Sequence, residues 1–198
     1  MAEKAESYRM KVLGIGGSPR VGGNSDLLLD ETLRGSRAAG ASTEKIVLNR
    51  LRFRPCQECG GCDDTGVCVI KDDMRLLYKK VLTSDAVVMA SPIFFGSLSG
   101  QAKMMIDRFH CLWVERRVLG KKPKVPRKIK GALLLTSGAR KKEFFENAEN
   151  ITKNFFATLG AEYSGGIFCG GVERKDEIRK NKRAMLKAFR LGKTLAGK

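Results

Sequence analysis

Short apolar runs alternate with amphipathic stretches along most of the chain, and together they predict five strands and five helices. Lys11-Val12-Leu13-Gly14-Ile15 is a brief apolar run ending in glycines, the pattern of a buried parallel strand. Asn24 to Ala39 then places Leu27, Leu28, Leu29 and Leu33 at helical spacing, with Gly40 as a stop. Glu44 to Leu48 reads as a second strand. Asp72-Asp73-Met74 opens a helix through about Leu82, with Asp72 or Asp73 as its N-cap. Asp85 to Ala90 is the most strand-like run. Ser99 to about Val118 reads as a helix with Ala102, Met105, Ile106 and Phe109 on one side. Lys130 to Thr136 makes a fourth strand, and Lys142 to Leu159 a helix that stops at Gly160. Ser164 to Cys169 offers a fifth strand, weakened by Gly165 and Gly166, and a long helix from about Glu173 closes the chain.

Strands alternating with helices through short loops require a parallel sheet with right-handed crossovers and helices on both faces. The expected fold class is therefore α/β, a doubly wound five-stranded parallel sheet. Residues 1–198 are expected to form a single domain, with a cysteine-rich loop at 55–69 and a basic loop at about 115–130. In such a sheet, ligands bind at the carboxyl ends of the strands.

Three strand-end loops carry candidate chemistry. The first is Gly14-Ile15-Gly16-Gly17-Ser18-Pro19-Arg20-Val21-Gly22-Gly23-Asn24-Ser25. A dinucleotide fingerprint needs a third glycine where Pro19 stands, and a Walker A loop needs a lysine that is missing. The loop still has the means to hold a phosphate. Glycines bend the backbone around an anion, Ser18, Asn24 and Ser25 are short polar donors, Arg20 adds charge, and the following helix adds its positive end. A glycine-rich turn capped by Asn24 or Ser25 explains the same residues without a ligand. Ser91-Pro92-Ile93-Phe94-Phe95-Gly96 after the third strand offers two aromatics and a rigid proline to a flat heterocycle. Thr136-Ser137-Gly138 after the fourth offers close approach from the other side. Together the three loops suit a mononucleotide with a large planar ring.

Four of the six cysteines, Cys56, Cys59, Cys62 and Cys68, fall within thirteen residues, spaced C-x2-C-x2-C-x5-C. In a reducing compartment such clustering points to metal or redox chemistry rather than structural disulfides. Three thiolates three residues apart can wrap one compact centre, and Gly60, Gly61 and Gly66 let the backbone curl around it. The opening matches the ferredoxin run, but the last spacer is longer and Val69 follows Cys68 where that motif has proline. Structural zinc usually pairs two knuckles across a long spacer; zinc, a cluster and a metal-free thiol loop remain open. Cys111 and Cys169 stand alone in apolar surroundings and read as packing residues.

Composition changes the picture in one respect. With 42% apolar and 30% charged residues the chain is an ordinary globule, yet its net charge is +17. The excess lies mainly in Arg116 to Lys130 and in Val172 to Lys198. The latter carries Ile178, Met185, Leu186, Phe189 and Leu195 as an apolar stripe amid Lys and Arg. This reads as a solvated basic face able to attract acidic redox partners or anionic cofactors, and no nucleic-acid motif accompanies it. Pro123 and Pro126 argue against continuous helix in the first basic run. The N-terminus lacks the apolar core of a signal peptide, and runs such as Ala86 to Ile93 are too short to span a bilayer. A cytoplasmic location without membrane attachment is expected.

The motifs GSPRVGGNS at 17–25, SPIFFGSLSGQAKMMIDR at 91–108 and TSG at 136–138 resemble the flavodoxin-like NAD(P)H-dependent FMN reductases. Lys103, Asp107 and Arg108 match that family's signature. With the cysteine loop, the chain resembles the iron–sulfur flavoprotein branch. The likeness implies non-covalent FMN held by Ser18, Pro19, Arg20, Asn24, Ser25, Pro92, Ile93, Phe94, Phe95, Gly96, Thr136, Ser137 and Gly138. It also implies one [4Fe–4S] cluster on Cys56, Cys59, Cys62 and Cys68, relaying electrons to FMN across a subunit interface in a homodimer or homotetramer. Ferredoxin or NAD(P)H would be the donor, and a small molecule or another protein the acceptor.

FMN carries the redox chemistry in such enzymes, so no side-chain acid or base is nominated. His110, the only histidine, reads as a packing or surface residue. The alternatives are a cluster-free NAD(P)H-dependent FMN or quinone reductase, and a basic nucleic-acid or scaffold protein on the same frame.

Overall fold

The computed structural model describes residues 8–122 and 128–197. Five parallel strands form its centre: β1 (Lys11–Gly16), β2 (Ser42–Val47), β3 (Ala86–Phe94), β5 (Ile129–Ser137) and β6 (Ala161–Gly170). Their order is β2-β1-β3-β5-β6, and the short β4 (Ser97–Leu98) pairs antiparallel with β3. Counting the parallel strands alone gives the 2-1-3-4-5 order of flavodoxin-like sheets, with its switch point between β1 and β3.

Alternate residues of the strands feed two cores. Leu13, Ile15, Val87, Met89, Leu133 and Leu135 pack against α2 (Met74–Leu82), α3 (Gly100–Arg108) and α5 (Lys142–Leu159). Val12, Val88, Ala90, Ala132 and Leu134 pack against α1 (Asn24–Ala38) and α6 (Lys182–Ala196). Both faces of the sheet are therefore covered, which is why the central strands read as continuous apolar runs.

Helices α1 and α6 cross at glycine contacts. A Cβ on Gly35 would collide with the Phe189 carbonyl, and one on Gly192 with the Thr32 carbonyl. The Ser36 hydroxyl donates to the Gly192 carbonyl at 2.9 Å and closes the crossing.

Several boundaries differ from the sequence reading. The expected helix from Ser99 to Val118 is interrupted at Phe109: α3 ends at Arg108, α4 runs His110–Trp113, and a wide π-type turn follows over Val114–Val118. Periodicity passes through the break because Phe109, Leu112 and Val114 all remain buried. The closing helix begins at Lys182 rather than near Glu173. Asp176 is left-handed (φ +63°), a short 3₁₀ turn occupies Glu177–Lys180, and the Asn181 side chain then caps α6 by accepting from the Ala184 N–H.

The last strand spans Ala161–Gly170, longer than Ser164 to Cys169, because Gly165 (φ +97°) absorbs an extra residue as a bulge against β5. At α2, Asp73 holds the cap position without a side-chain cap bond; the Asp72 carboxylate accepts from the Met74 N–H. Of the basic run at 115–130, Pro123 and Pro126 lie outside the described residues.

Candidate functional site

The loops after β1, β3 and β5 converge, with the segment after β6, on a cavity of about 360 Å³. That is within the roughly 300–1,000 Å³ of small-molecule sites. Ser18, Pro19, Arg20, Asn24 and Ser25 line it from the first loop, Pro92, Ile93 and Phe94 from β3, and Thr136, Ser137 and Gly138 from β5. Val172 and Glu173 complete the wall.

Local hydrogen bonds build the first loop. The Gly17 N–H donates to the Ala90 carbonyl at 2.7 Å, the Ser18 hydroxyl accepts from the Arg20 N–H at 3.1 Å, and Asp26 accepts from the Gly22 N–H at 2.8 Å. Asp26 also pairs with Lys45 at 2.7 Å, so this buried acid is neutralised beneath the loop. No side chain caps α1: Gly23, not Asn24 or Ser25, holds the N-cap position, and the first-turn N–H groups lack intrahelical acceptors. An anion at that place meets N–H donors and the helix dipole together. The uncapped turn, the buried hydroxyls of Ser18, Ser25 and Thr136, and a wall of Pro92, Ile93 and Phe94 fit a phosphate joined to a flat ring.

Asn24 lines the cavity and also has a structural part that the sequence did not announce. Its Oδ1 accepts from the Ile178 N–H at 3.1 Å and its Nδ2 donates to the Arg174 carbonyl at 2.9 Å. Phe95 and Gly96 do not line the cavity. They are the two central residues of the β3–β4 hairpin turn, with φ +48° and +75°, and the Phe95 ring is fully exposed. Two left-handed residues give the turn whose twist matches the paired strands, and that geometry swings both residues away.

The four clustered cysteines line a second cavity, of about 190 Å³. Left-handed backbone at Glu58 and at Gly60 turns this loop between successive cysteines. Cys56, Cys62 and Cys68 are half-buried and Cys59 is exposed. Burial raises the Cys62 thiol pKa, and the charges of Asp63, Cys68 and Cys56 raise it further, as thiols sharing one small space do. Among the described residues, no three His, Cys, Asp or Glu side chains converge as a single metal ion would require. The donor set is four thiols arranged around a space, which suits a compact iron–sulfur centre.

Cys111, expected as an isolated packing residue, is buried but lines this same cavity. Burial holds its thiol pKa high. Cys169 remains a packing residue, buried on β6. Arg108 is another wall residue that sequence reasoning left without a role; its side chain is 0% exposed. Burial opposes its charge, but Asp72, 2.6 Å away, outweighs this and keeps the guanidinium pKa above its ordinary value. The same pair keeps the Asp72 carboxyl below its ordinary value despite burial.

His110 stacks on the half-exposed Trp113 ring, centroids 5.5 Å apart, and both line an open groove between α3, α4 and α5.

The two cavities share no residue. They lie towards opposite ends of α3, whose leading Ser99 donates to the Gly17 carbonyl at 2.5 Å and whose last residue, Arg108, reaches Cys68. The family model for NADPH-dependent FMN reductases matches residues 10–167. The chain belongs to that family.

Among curated relatives, an iron–sulfur flavoprotein of Methanocaldococcus jannaschii is 42% identical over 99 residues, 50% of this chain and 51% of that protein. One from Archaeoglobus fulgidus is 32% identical over 187 residues, 94% of this chain and 79% of that protein. The chain thus spans about half the length of the first and most of the second. A solved NAD(P)H:quinone oxidoreductase from Methanothermobacter marburgensis superposes with a TM-score of 0.70 at 18% identity, covering 96% of this chain and 99% of that one. This likeness concerns the flavodoxin-like fold. Among the described residues no helix is long and apolar enough to cross a membrane.

Proposed function

We propose that residues 1–198 form one FMN-binding domain of a flavin-dependent oxidoreductase. In this reading the loop at 55–69 holds a [4Fe–4S] cluster that passes electrons between a donor and the flavin. The observation that carries the reading is the convergence of eleven of the thirteen expected flavin residues on one cavity, with the four cysteines together on another.

FMN, when bound, supplies hydride and single-electron chemistry, and the cluster supplies single-electron relay. The protein's own contribution is binding and placement. The N-terminus of α1 and Arg20 neutralise the phosphate, Ser18 and Ser25 supply hydroxyls to it, and Pro92, Ile93 and Phe94 form a rigid wall for the ring. Thr136, Ser137 and Gly138 would approach the ring closely from the other side. Cys56, Cys59, Cys62 and Cys68 hold the cluster.

The cavities lie towards opposite ends of α3, a helix about 13 Å long for nine residues, and the likeness to iron–sulfur flavoproteins suggests a relay that crosses from the cluster of one subunit to the flavin of another. That route would require a homodimer or homotetramer. The donor is ferredoxin or NAD(P)H, and the acceptor a small molecule or another protein. The excess of positive charge favours acidic protein partners.

The test is an anaerobic absorbance spectrum with iron, sulfide and flavin analysis. A brown protein with about four irons and four sulfides per FMN is expected. A yellow, iron-free protein that reduces FMN or quinones with NAD(P)H would leave the flavin reading standing and remove the cluster. A colourless protein with salt-dependent nucleic-acid binding would overturn both.

A further inference from the structure

Arg108 places one guanidinium against three parts of the cysteine loop. Nη1 donates to the Arg54 carbonyl at 2.8 Å, two residues before Cys56, and to Asp72 Oδ2 at 2.6 Å, four residues after Cys68. Nη2 donates to Asp72 Oδ1 at 3.2 Å and to Cys68 Sγ at 3.3 Å. The arginine side chain is 0% exposed and that of Asp72 11%, so water and salt screen this group little. Nε, also buried, has no hydrogen-bond partner among the described residues. Arg108 lines the cavity that the four cysteines share.

A purely structural tie between loop ends would need only the bonds to Arg54 and Asp72. The additional N–H···S bond aims a buried donor at one of the four sulfurs. Donors directed at ligand sulfurs, together with local charge, are among the means by which a protein sets the potential of a thiolate-bound centre.

We propose that Arg108 is a positioning residue that raises the reduction potential of the centre held by the four cysteines, with Asp72 as the counter-charge that limits the effect. The inference rests on the reading of that loop as a cluster site. Uptake of one electron adds one negative charge beside the guanidinium, with no bond made or broken and no proton moved. The N–H donor and the positive charge favour that more negative state. Asp72 opposes it.

The two substitutions must therefore act in opposite directions. In the full-length protein purified without oxygen, Arg108→Gln lowers the midpoint potential and Asp72→Asn raises it. Both are followed by absorbance and electron paramagnetic resonance during dithionite titration. Each shift is expected to change the reduced-to-oxidised ratio at fixed ambient potential about tenfold, or 59 mV for a one-electron couple. Arg108→Lys, which keeps charge but not the fork of donors, lowers the potential by less and is the variant to use if the glutamine protein does not fold.

Loss of order around the loop would move both potentials the same way, and that result overturns the proposal. So do unchanged potentials in variants that retain iron. An iron-free wild-type protein instead defeats the cluster reading itself, so the two failures are told apart before any variant is made.

Discussion

The Asn24 carboxamide, in the first turn of α1, holds the backbone of Ile178 at 3.1 Å, a partner 154 residues later in the chain. With the bond to Arg174, it ties the segment carrying Val172 and Glu173 to the loop that forms the opposite wall of the cavity proposed for FMN. Asn24→Ala leaves the buried Ile178 N–H without its acceptor, at a cost of about 1–3 kcal/mol. Urea unfolding should show that loss. Flavin binding, read by fluorescence quenching, should weaken through movement of Glu173. Asn24→Asp keeps the acceptor and should lose less stability.

Arg20 is exposed at the rim of the same cavity. Its replacement by Gln should weaken FMN binding by roughly 0.5–1 kcal/mol, a two- to fivefold rise in Kd, more at low salt than at high. Riboflavin, which has no phosphate, should bind wild type and variant alike. Equal losses for both ligands would place the arginine elsewhere than at the phosphate.

Single Cys→Ser changes at 56, 59, 62 or 68 should lower iron content while leaving flavin content near one per chain, because the cavities have no residue in common. Cys169→Ser, on the far face of the sheet, should keep both. Metal and flavin analysis of the five proteins decides this without an activity assay. Parallel loss of flavin and iron in all four would contradict the separation of the sites.

The α1–α6 crossing allows no side chain at its contact points. Gly35→Ala and Gly192→Ala each drive a Cβ into a backbone carbonyl of the facing helix. Each should cost about 3 kcal/mol, seen as a lower denaturation midpoint with the spectrum of the remaining folded protein unchanged.

Tyr163 sits between Phe156 and Glu149, with its hydroxyl donating to Glu149 Oε1 at 2.8 Å. Burial first, then the Glu149 bond and charge, raise its pKa above the usual tyrosine value. A raised pKa means the folded state holds the proton more tightly. Its stabilisation is present in full below about pH 10 and is lost as pH rises from there through the folded value. Tyr163→Phe should flatten that alkaline decline in thermal melts. A wild-type Tyr163 that ionises near pH 10 while the protein stays folded would contradict the burial argument.

The convergence of the strand-end loops was legible because its signals are local. Glycines, a proline and small hydroxyls follow directly on apolar runs, and parallel topology brings such ends to one edge. Asn24 was not legible in that way, since its partners are fixed only when α6 folds back over α1. Phe95 misled for a similar reason. Aromatic character is visible in a sequence, but a left-handed turn is normally announced by Asn or Gly at its first central position, and here a phenylalanine occupies it. Cys111 stands 43 residues after Cys68, and Arg108 lay within a motif that said nothing of its contacts. Only the descent of the cysteine loop along α3 joins them.

Helix α3 acts as a ruler between the two sites. Its first cap is fastened to the Gly17 carbonyl and its last residue to Cys68 and Asp72, so both ends are bonded and neither can slide alone. Each residue of an α-helix adds about 1.5 Å and turns the chain by about 100°. A one-residue insertion would therefore point the guanidinium away from the cysteines even if the rise were absorbed. The length of this helix is fixed at both ends, and with it the offset between the strand-end cavity and the cavity that the four cysteines line.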